Sequence, residues 1–457
     1  MKTTRSSGRK VAITMAVVMA LAAAAEAKSP AEEKILKAAD GFTANQLEPL
    51  RPFFKALYIE GEHNAVLNFD YLGLAALEAG EYRSAEKAFD GAIARIEAIY
   101  ADNPSARKAK SLFAEEKVKD FKGEPYERAM TYFYRGLLYV RAGDYQNARA
   151  SFLSAEQQSM MSESETYQGT FGLMEFLAGW ASHCDGDEAK AVEFGERAAK
   201  MQPEVFGSLH ADVSFLGLVD VGTSPVKVGV GKYKEKLTFM PSDAAPAPPD
   251  VTANATQLSP VILGADLNWQ ATTRGGRPVD AVLNGKAQWK SNTEGASSAL
   301  TTAGYTAALQ GSLSGNQNLQ QAGEIGMMVG LVGGLFASAM TPAADTRSWS
   351  TLPAGVTLVS GQAPVPGSLA MTFTVAGSST PTPAALTVRA GQCGLAWERT
   401  RSSIDPFAPN IARPVLTESR REALNQQFRA VLEATFEGPQ SAAVAAANTV
   451  NRQELPK

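Results

Sequence analysis

The residue types that do chemistry are sparse in this chain and do not gather. It has three histidines, His63, His183 and His210, at spacings that match no metal-ligand pattern. There is no His-Glu-x-x-His, no Gly-x-Ser-x-Gly and no phosphate loop. Gly229-Val230-Gly231-Lys232 lacks both the upstream Gly and the following Ser or Thr that cradling a phosphate requires, so it reads as a turn beside a strand. His183 and Cys184 are adjacent, and neighbours on a helix point in different directions, so they do not form a nucleophile–base pair. No catalytic residue, metal or cofactor is expected, and no small-molecule substrate is evident. Cys184 and Cys393 are compatible with a disulfide in an oxidising compartment and equally with two buried thiols in different domains.

The elements around these residues are more informative. The chain has 457 residues, 45% of them hydrophobic and 20% charged, which suits several globular domains. Residues 1–27 read as a secretory signal: Lys2, Arg5, Arg9 and Lys10, then the apolar run Val11–Ala25, then Ala25-Glu26-Ala27 as a small-x-small cleavage site before Lys28. These residues carry +3 of a formal net charge of −4, so the remainder stands near −7. That balance argues against a nucleic-acid partner, whose phosphates call for a basic surface. No Cys near the cleavage site is available for lipidation.

Residues 28–205 carry helical periodicity and an internal repeat. Gly73, Gly136 and Gly179 are each followed seven residues later by Gly80, Gly143 and Gly186. Ala85, Ala148 and Ala191 lie five residues beyond the second glycine, and Ala92, Ala155 and Ala198 twelve beyond it. Phe89 and Phe152 fill the position nine beyond it in the first two copies; Gly195 stands there in the third, which also has Glu188 where the others have Tyr82 and Tyr145. The first glycine permits close approach of two helices, the second ends the first helix in a left-handed turn, and the alanines lie where the second helix returns. The pattern resembles the tetratricopeptide repeat (TPR), and the copies are irregularly spaced, with extra helix including the basic stretch Arg107–Lys122 between them.

The expected fold is therefore a mainly α, TPR-like N-terminal superhelix, followed by an α+β C-terminal region. A β-prone extension spans 206–243, with Val226–Val230 and Leu237–Met240 flanking the basic run Lys232–Lys236. A Pro/Ala linker spans 244–258. An α+β domain spans 259–436, with a candidate strand at Val261–Leu267, helical periodicity at Pro278–Lys290, a charge-free, glycine-seamed apolar helix at 325–340 and a small β-sandwich-like unit at 356–399. Thr417–Phe436 reads as an amphipathic helix, and 437–457 as a disordered tail.

The TPR resemblance implies a partner-binding groove lined by the first helix of each repeat. Carried onto this chain, it includes Asp70 and Glu78, Phe133 and Arg141, and Phe176 and Trp180. Such a face fits a protein or peptide partner, or the chain's own Thr417–Phe436 helix. Two further words read as structural. Gly123-Glu124-Pro125-Tyr126-Glu127-Arg128 opens the second repeat as a helix cap, and in Asp345-Thr346-Arg347-Ser348-Trp349 the charges pair while the indole plugs a core. With Asp220–Lys227 and Gly276-Arg277-Pro278, these words resemble an uncharacterised family of exported bacterial TPR proteins, many of them lipoproteins. The resemblance implies a periplasmic scaffold in an outer-membrane or envelope complex, with a role in envelope assembly or secretion. A membrane-associated structural component anchored through 325–340 is the alternative.

Overall fold

Glycine packing builds the helical half. In the computed structural model, the residues described are 29–101, 120–160, 171–230, 232, 236–240, 250–253, 256–258, 261–273, 345–361, 371–374, 382–383, 386–390, 393–401, 403–404 and 419–436. The expected signal segment, the basic stretch between the repeats, the helical periodicity at Pro278–Lys290, the apolar segment 325–340 and the tail lie outside the described residues, apart from the last few residues of that basic stretch.

Three helical hairpins follow one another. α3 (Ala65–Glu78) pairs with α4 (Tyr82–Ala101), α5 (Pro125–Arg141) with α6 (Tyr145–Met160), and α7 (Gly172–Cys184) with α8 (Glu188–Met201). Gly73 and Gly136 sit beneath rings: a Cβ added to them would lie 2.7 Å from Phe89 and 2.4 Å from Phe152. In the third hairpin, where the ring is absent, Gly179 instead meets backbone, 3.0 Å from the Ala191 carbonyl oxygen and 3.2 Å from the Gly195 nitrogen. The missing phenylalanine is thus matched by a closer backbone approach. Gly80, Gly143 and Gly186 close the turns at φ of 75°, 73° and 83°, a region in which a Cβ is strained. The six repeat alanines are all buried.

The strands form a small mixed sheet of order β10-β11-β1-β7-β6: β1 (Phe215–Val221), β6 (Ile262–Asp266), β7 (Gly355–Gly361), β10 (Leu386–Ala390) and β11 (Cys393–Arg399). β1 pairs in parallel with β11 and antiparallel with β7. Two smaller sheets are the ribbon β2 (Val226–Val230) with β3 (Lys236–Met240), and β5-β4-β8-β9, made of β4 (Asp250–Ala253), β5 (Thr256–Leu258), β8 (Met371–Thr374) and β9 (Thr382–Pro383). α9 (Pro203–Phe206) and α10 (Leu267–Thr273) are short connectors.

Two expectations are corrected here. The strands of 356–399 are not a unit of their own, because β1, from the expected extension, is inserted between β7 and β11. All seven residues of β1 are buried, so both of its faces and both of its edges need cover. One face meets β4 in an apolar cluster of Phe215, Val219, Val221, Val251, Val359 and Ala396; the other faces the helices. The expected linker 244–258 is also not merely a spacer: β4 and β5 lie within it, and Val251 is fully buried.

The chain divides into two units, residues 62–410 and residues 1–61 with 411–457. The elements above form the first. In the second, α1 (Pro30–Ala44) starts at a capping box between Ser29 and Glu32, and α2 (Arg51–Glu60) packs with α11 (Ser419–Phe436). Phe54 meets Phe436 edge-on at 5.1 Å, Tyr58 donates to Glu433 at 2.8 Å, and Arg429 Nε donates to the Tyr58 carbonyl at 3.0 Å. Gly61, at φ 59°, leaves room for the buried Asn425.

Candidate functional site

The face expected to be an open groove is interior. Phe133, Phe176, Trp180 and Asp70 are all buried. Phe133 packs against Phe152 of α6, Phe176 stacks on Phe206 of α9 at 5.4 Å, and Asp70 accepts from Thr131 Oγ1 of α5 at 2.9 Å. The Trp180 ring meets Tyr145 edge-on, and its Nε1 donates to the Val213 carbonyl at 2.8 Å, two residues before β1. Glu78 is half-buried and accepts from the Ser403 amide at 2.7 Å. Only Arg141 of the six remains exposed, stacked over the Tyr82 ring at 3.9 Å. Other parts of the chain therefore cover these side chains, and beside them the segment 345–352 bonds to Tyr71 and β1 to Tyr134. The helix expected as an internal filler, α11, packs on α2 within its own unit.

What the sequence left unconnected is a buried polar seam along this junction. Glu127 opens α5, accepting from the Glu124 amide at 2.7 Å in a capping box behind Pro125. The same carboxylate holds two distant segments. Lys227 Nζ of β2 lies 2.7 Å from Glu127 Oε2, and the Trp349 amide donates to Oε1 at 2.8 Å. The Lys227 and Glu127 side chains are 2% and 1% exposed, so the pair is out of water and its desolvation has to be met by local bonds. They are present: Lys227 also donates to the Arg347 carbonyl at 3.0 Å and stands 5.5 Å from the Phe121 ring.

The segment 345–352 is bonded along its length. Asp345 and Arg347 form the pair their spacing predicts, at 2.6 Å, and Arg347 Nη1 donates to Asn64 Oδ1 at 2.7 Å. Tyr71 donates to the Ser348 carbonyl and accepts from the Ser350 amide. Trp349 is fully buried beside Phe89 and Tyr134.

A second knot lies at the far end of β1. Asp220 accepts from Tyr134 Oη at 2.6 Å and from Trp397 Nε1 at 3.3 Å, with Arg399 Nη1 3.7 Å away. Burial raises its carboxyl to about 6, against the lowering influence of Arg399 and of the two hydrogen bonds. Burial likewise holds Asp70 well above the usual carboxylate range, with the nearby charge of Glu127 adding to the rise and the Thr131 bond opposing it. Burial pushes the Tyr134 hydroxyl up too, so it stays a donor. Tyr134, Asp220 and Trp397 bond together as a clasp between helix and sheet, while Asp70 and Thr131 join two helices. Among the described residues no three His, Cys, Asp or Glu side chains are placed to hold a metal ion.

The junction also has a covalent tie. Cys184 at the end of α7 and Cys393 at the start of β11 form a disulfide, with Cα atoms 5.8 Å apart across 209 residues of sequence. His183, beside it, lies 2.8 Å from Glu188, its partner across the turn. Of the four words that carried the narrower resemblance, three meet in the seam, and Gly276-Arg277-Pro278 lies outside the described residues. The words at Gly123–Arg128 and Asp345–Trp349 read as a local cap and a local pair, and their meeting with Lys227 is a tertiary fact.

No family model, curated protein or solved structure matches the chain. Among the described residues, no helix is long and apolar enough to cross a membrane.

Proposed function

We propose that the protein is an exported scaffold of the TPR type that holds a protein or peptide partner in the cell envelope. The observation that carries this reading is the run of three hairpins, each built on the same glycine pair and alanine pair, since stacked helical hairpins make extended surfaces for other proteins. The basic, apolar and small-x-small order of residues 1–27 supports export, and the Cys184–Cys393 bond is consistent with an oxidising compartment.

Because the sheet occupies the inner side, the partner surface in this reading belongs to the second helices of the hairpins and to the rim at Arg141. Gln146 on α6 and Val192 on α8 are exposed there. A photo-crosslinking amino acid at Gln146 or Val192 in living cells is expected to yield a discrete adduct with one envelope protein. If neither position yields an adduct, the scaffold reading fails. N-terminal sequencing of the protein from the envelope fraction is expected to begin at Lys28; an intact Met1 would remove the export part.

A further inference from the structure

The mixed sheet ends in a two-stranded hairpin that a single ladder attaches. In the order β10-β11-β1-β7-β6, β10 pairs with β11, and β11 carries the pair onto β1. Parting β11 from β1 therefore takes both strands off the sheet and leaves β1, β7 and β6 paired as before. The ladder that has to part is parallel, the less stable arrangement per residue. It is flanked by bonds from the Gly394 amide to the Ser214 carbonyl at 2.8 Å and from the Thr400 amide to the Asp220 carbonyl at 2.9 Å.

The two ends of β11 are held by different means. At its far end, docking takes Arg399 out of water to a place 3.7 Å from Asp220, and among the described residues its Nη1 has no hydrogen-bond partner. A buried guanidinium with one nitrogen unmatched costs stability and offsets part of what Trp397 gains against Tyr134. At its near end the hold is covalent, through Cys393 to Cys184 of α7. The two sulfurs differ in access. Cys393 is buried, whereas Cys184 is half-buried beside Asp185 and Gly186, the exposed residues of the α7–α8 turn.

We propose that the Cys184–Cys393 bond is a redox latch for the β10–β11 hairpin. Oxidised, it keeps the hairpin on β1; reduced, it lets the hairpin leave and bares one edge of β1 while the helical hairpins stay folded. The latch closes by thiol–disulfide exchange with a dithiol oxidase. The Cys184 thiolate, reached from the exposed turn, attacks the oxidase disulfide and expels one of its thiolates. The Cys393 thiolate, brought in by the docking strand, then attacks the Cys184 sulfur of the mixed disulfide and expels the other. The two cysteines give up two electrons and two protons, and the oxidase leaves as the dithiol that has taken them. An excess of small dithiol runs the same exchange backwards. The latch does not rest on the scaffold reading; export decides only in which compartment it closes.

The test is hydrogen exchange on the full chain at one pH, oxidised and after reduction with dithiothreitol, with alkylation to count the freed thiols. Amides of residues 394–400 are expected to exchange at least about tenfold faster once the bond is open, while those of α5 and α6 keep their rates within about threefold. C184S/C393S, in which the bond is absent whatever the reductant reaches, is expected to show the open pattern with and without dithiothreitol. Protection of 394–400 in the double variant equal to that of the oxidised chain overturns the proposal. An equal rise in exchange through α5 and α6 overturns it as well, because the bond would then brace the whole unit rather than latch one hairpin.

Discussion

The two sides of the first helices of the hairpins are held by different physics. Toward their second helices they are dry: Gly73 and Gly136 receive phenylalanine rings, and alanines keep the backbones close. Toward the sheet they carry a polar seam: Glu127 meets Lys227 of β2, and Tyr134 meets Asp220 of β1. Dry packing is written in short periods, because helix geometry fixes which residues touch. The polar side joins residues 100 and 222 positions apart, and only the folded chain brings them together.

The sharpest way to break the polar side is Lys227→Ala. It leaves the Glu127 charge buried with its cation gone, which is expected to destabilise by about 3–5 kcal/mol in urea unfolding. The double variant Lys227→Met with Glu127→Gln is expected to recover part of that loss, since the uncompensated charge is then absent. Recovery in the double variant but not in the single one separates a buried-charge penalty from lost packing.

Next comes pH. The folded-state pKa of Asp220, about 6, is raised above the unfolded value, so the folded state binds the proton more tightly. Its contribution is fully present below the unfolded value of about 4 and is lost as pH rises through 6, roughly 3 kcal/mol in all. Comparing unfolding of the wild type and Asp220→Asn from pH 4 to 7 isolates it: the variant is expected to lack that portion of the slope. Identical slopes would mean that Arg399 holds the carboxylate charged throughout.

The dry side should yield smaller effects. Gly136→Ala places a Cβ 2.4 Å from the Phe152 ring, and overpacking of this kind is expected to lower stability by about 1–3 kcal/mol, read as a lower thermal midpoint. Gly143→Ala strains a turn at φ 73° and is expected to lose about 1 kcal/mol. If Gly143→Ala proves the worse of the two, the turn rather than the helix contact limits the hairpin.

This contrast also explains what the sequence could show. The hairpins, the β2–β3 ribbon and β6, β7 and β11 carry their own periodic or turn signals. β1 does not: buried on both faces, Phe215–Val221 has no alternation to mark it as a strand, and it follows directly on helices. β4 was hidden by the prolines before it. For the site, the expectation of Phe133, Phe176 and Trp180 as anchors on an open face meets three buried side chains, and their cover is not legible in the sequence. It includes Phe206 of α9 and the Val213 carbonyl before β1, and no local pattern marks those residues as the complement of a helical face. The cap at Glu124–Glu127 and the pair at Asp345–Arg347 were legible as local devices, and their second role as the seam was not.

The position of β1 has a consequence for the order in which the protein is made. Its parallel partner β11 lies about 180 residues further along, Phe215 standing opposite Gly394. At roughly 5–20 residues per second, the helices and β1 wait on the order of 10–40 s before the strand that completes their cover exists. Until β7 is made at Gly355–Gly361, β1 lacks both of its neighbours, and until β11 follows it still lacks one. A chain stopped before Cys393 would leave that edge of β1 uncovered, so a nascent chain must reach Arg399 before the strand can hide both of its edges.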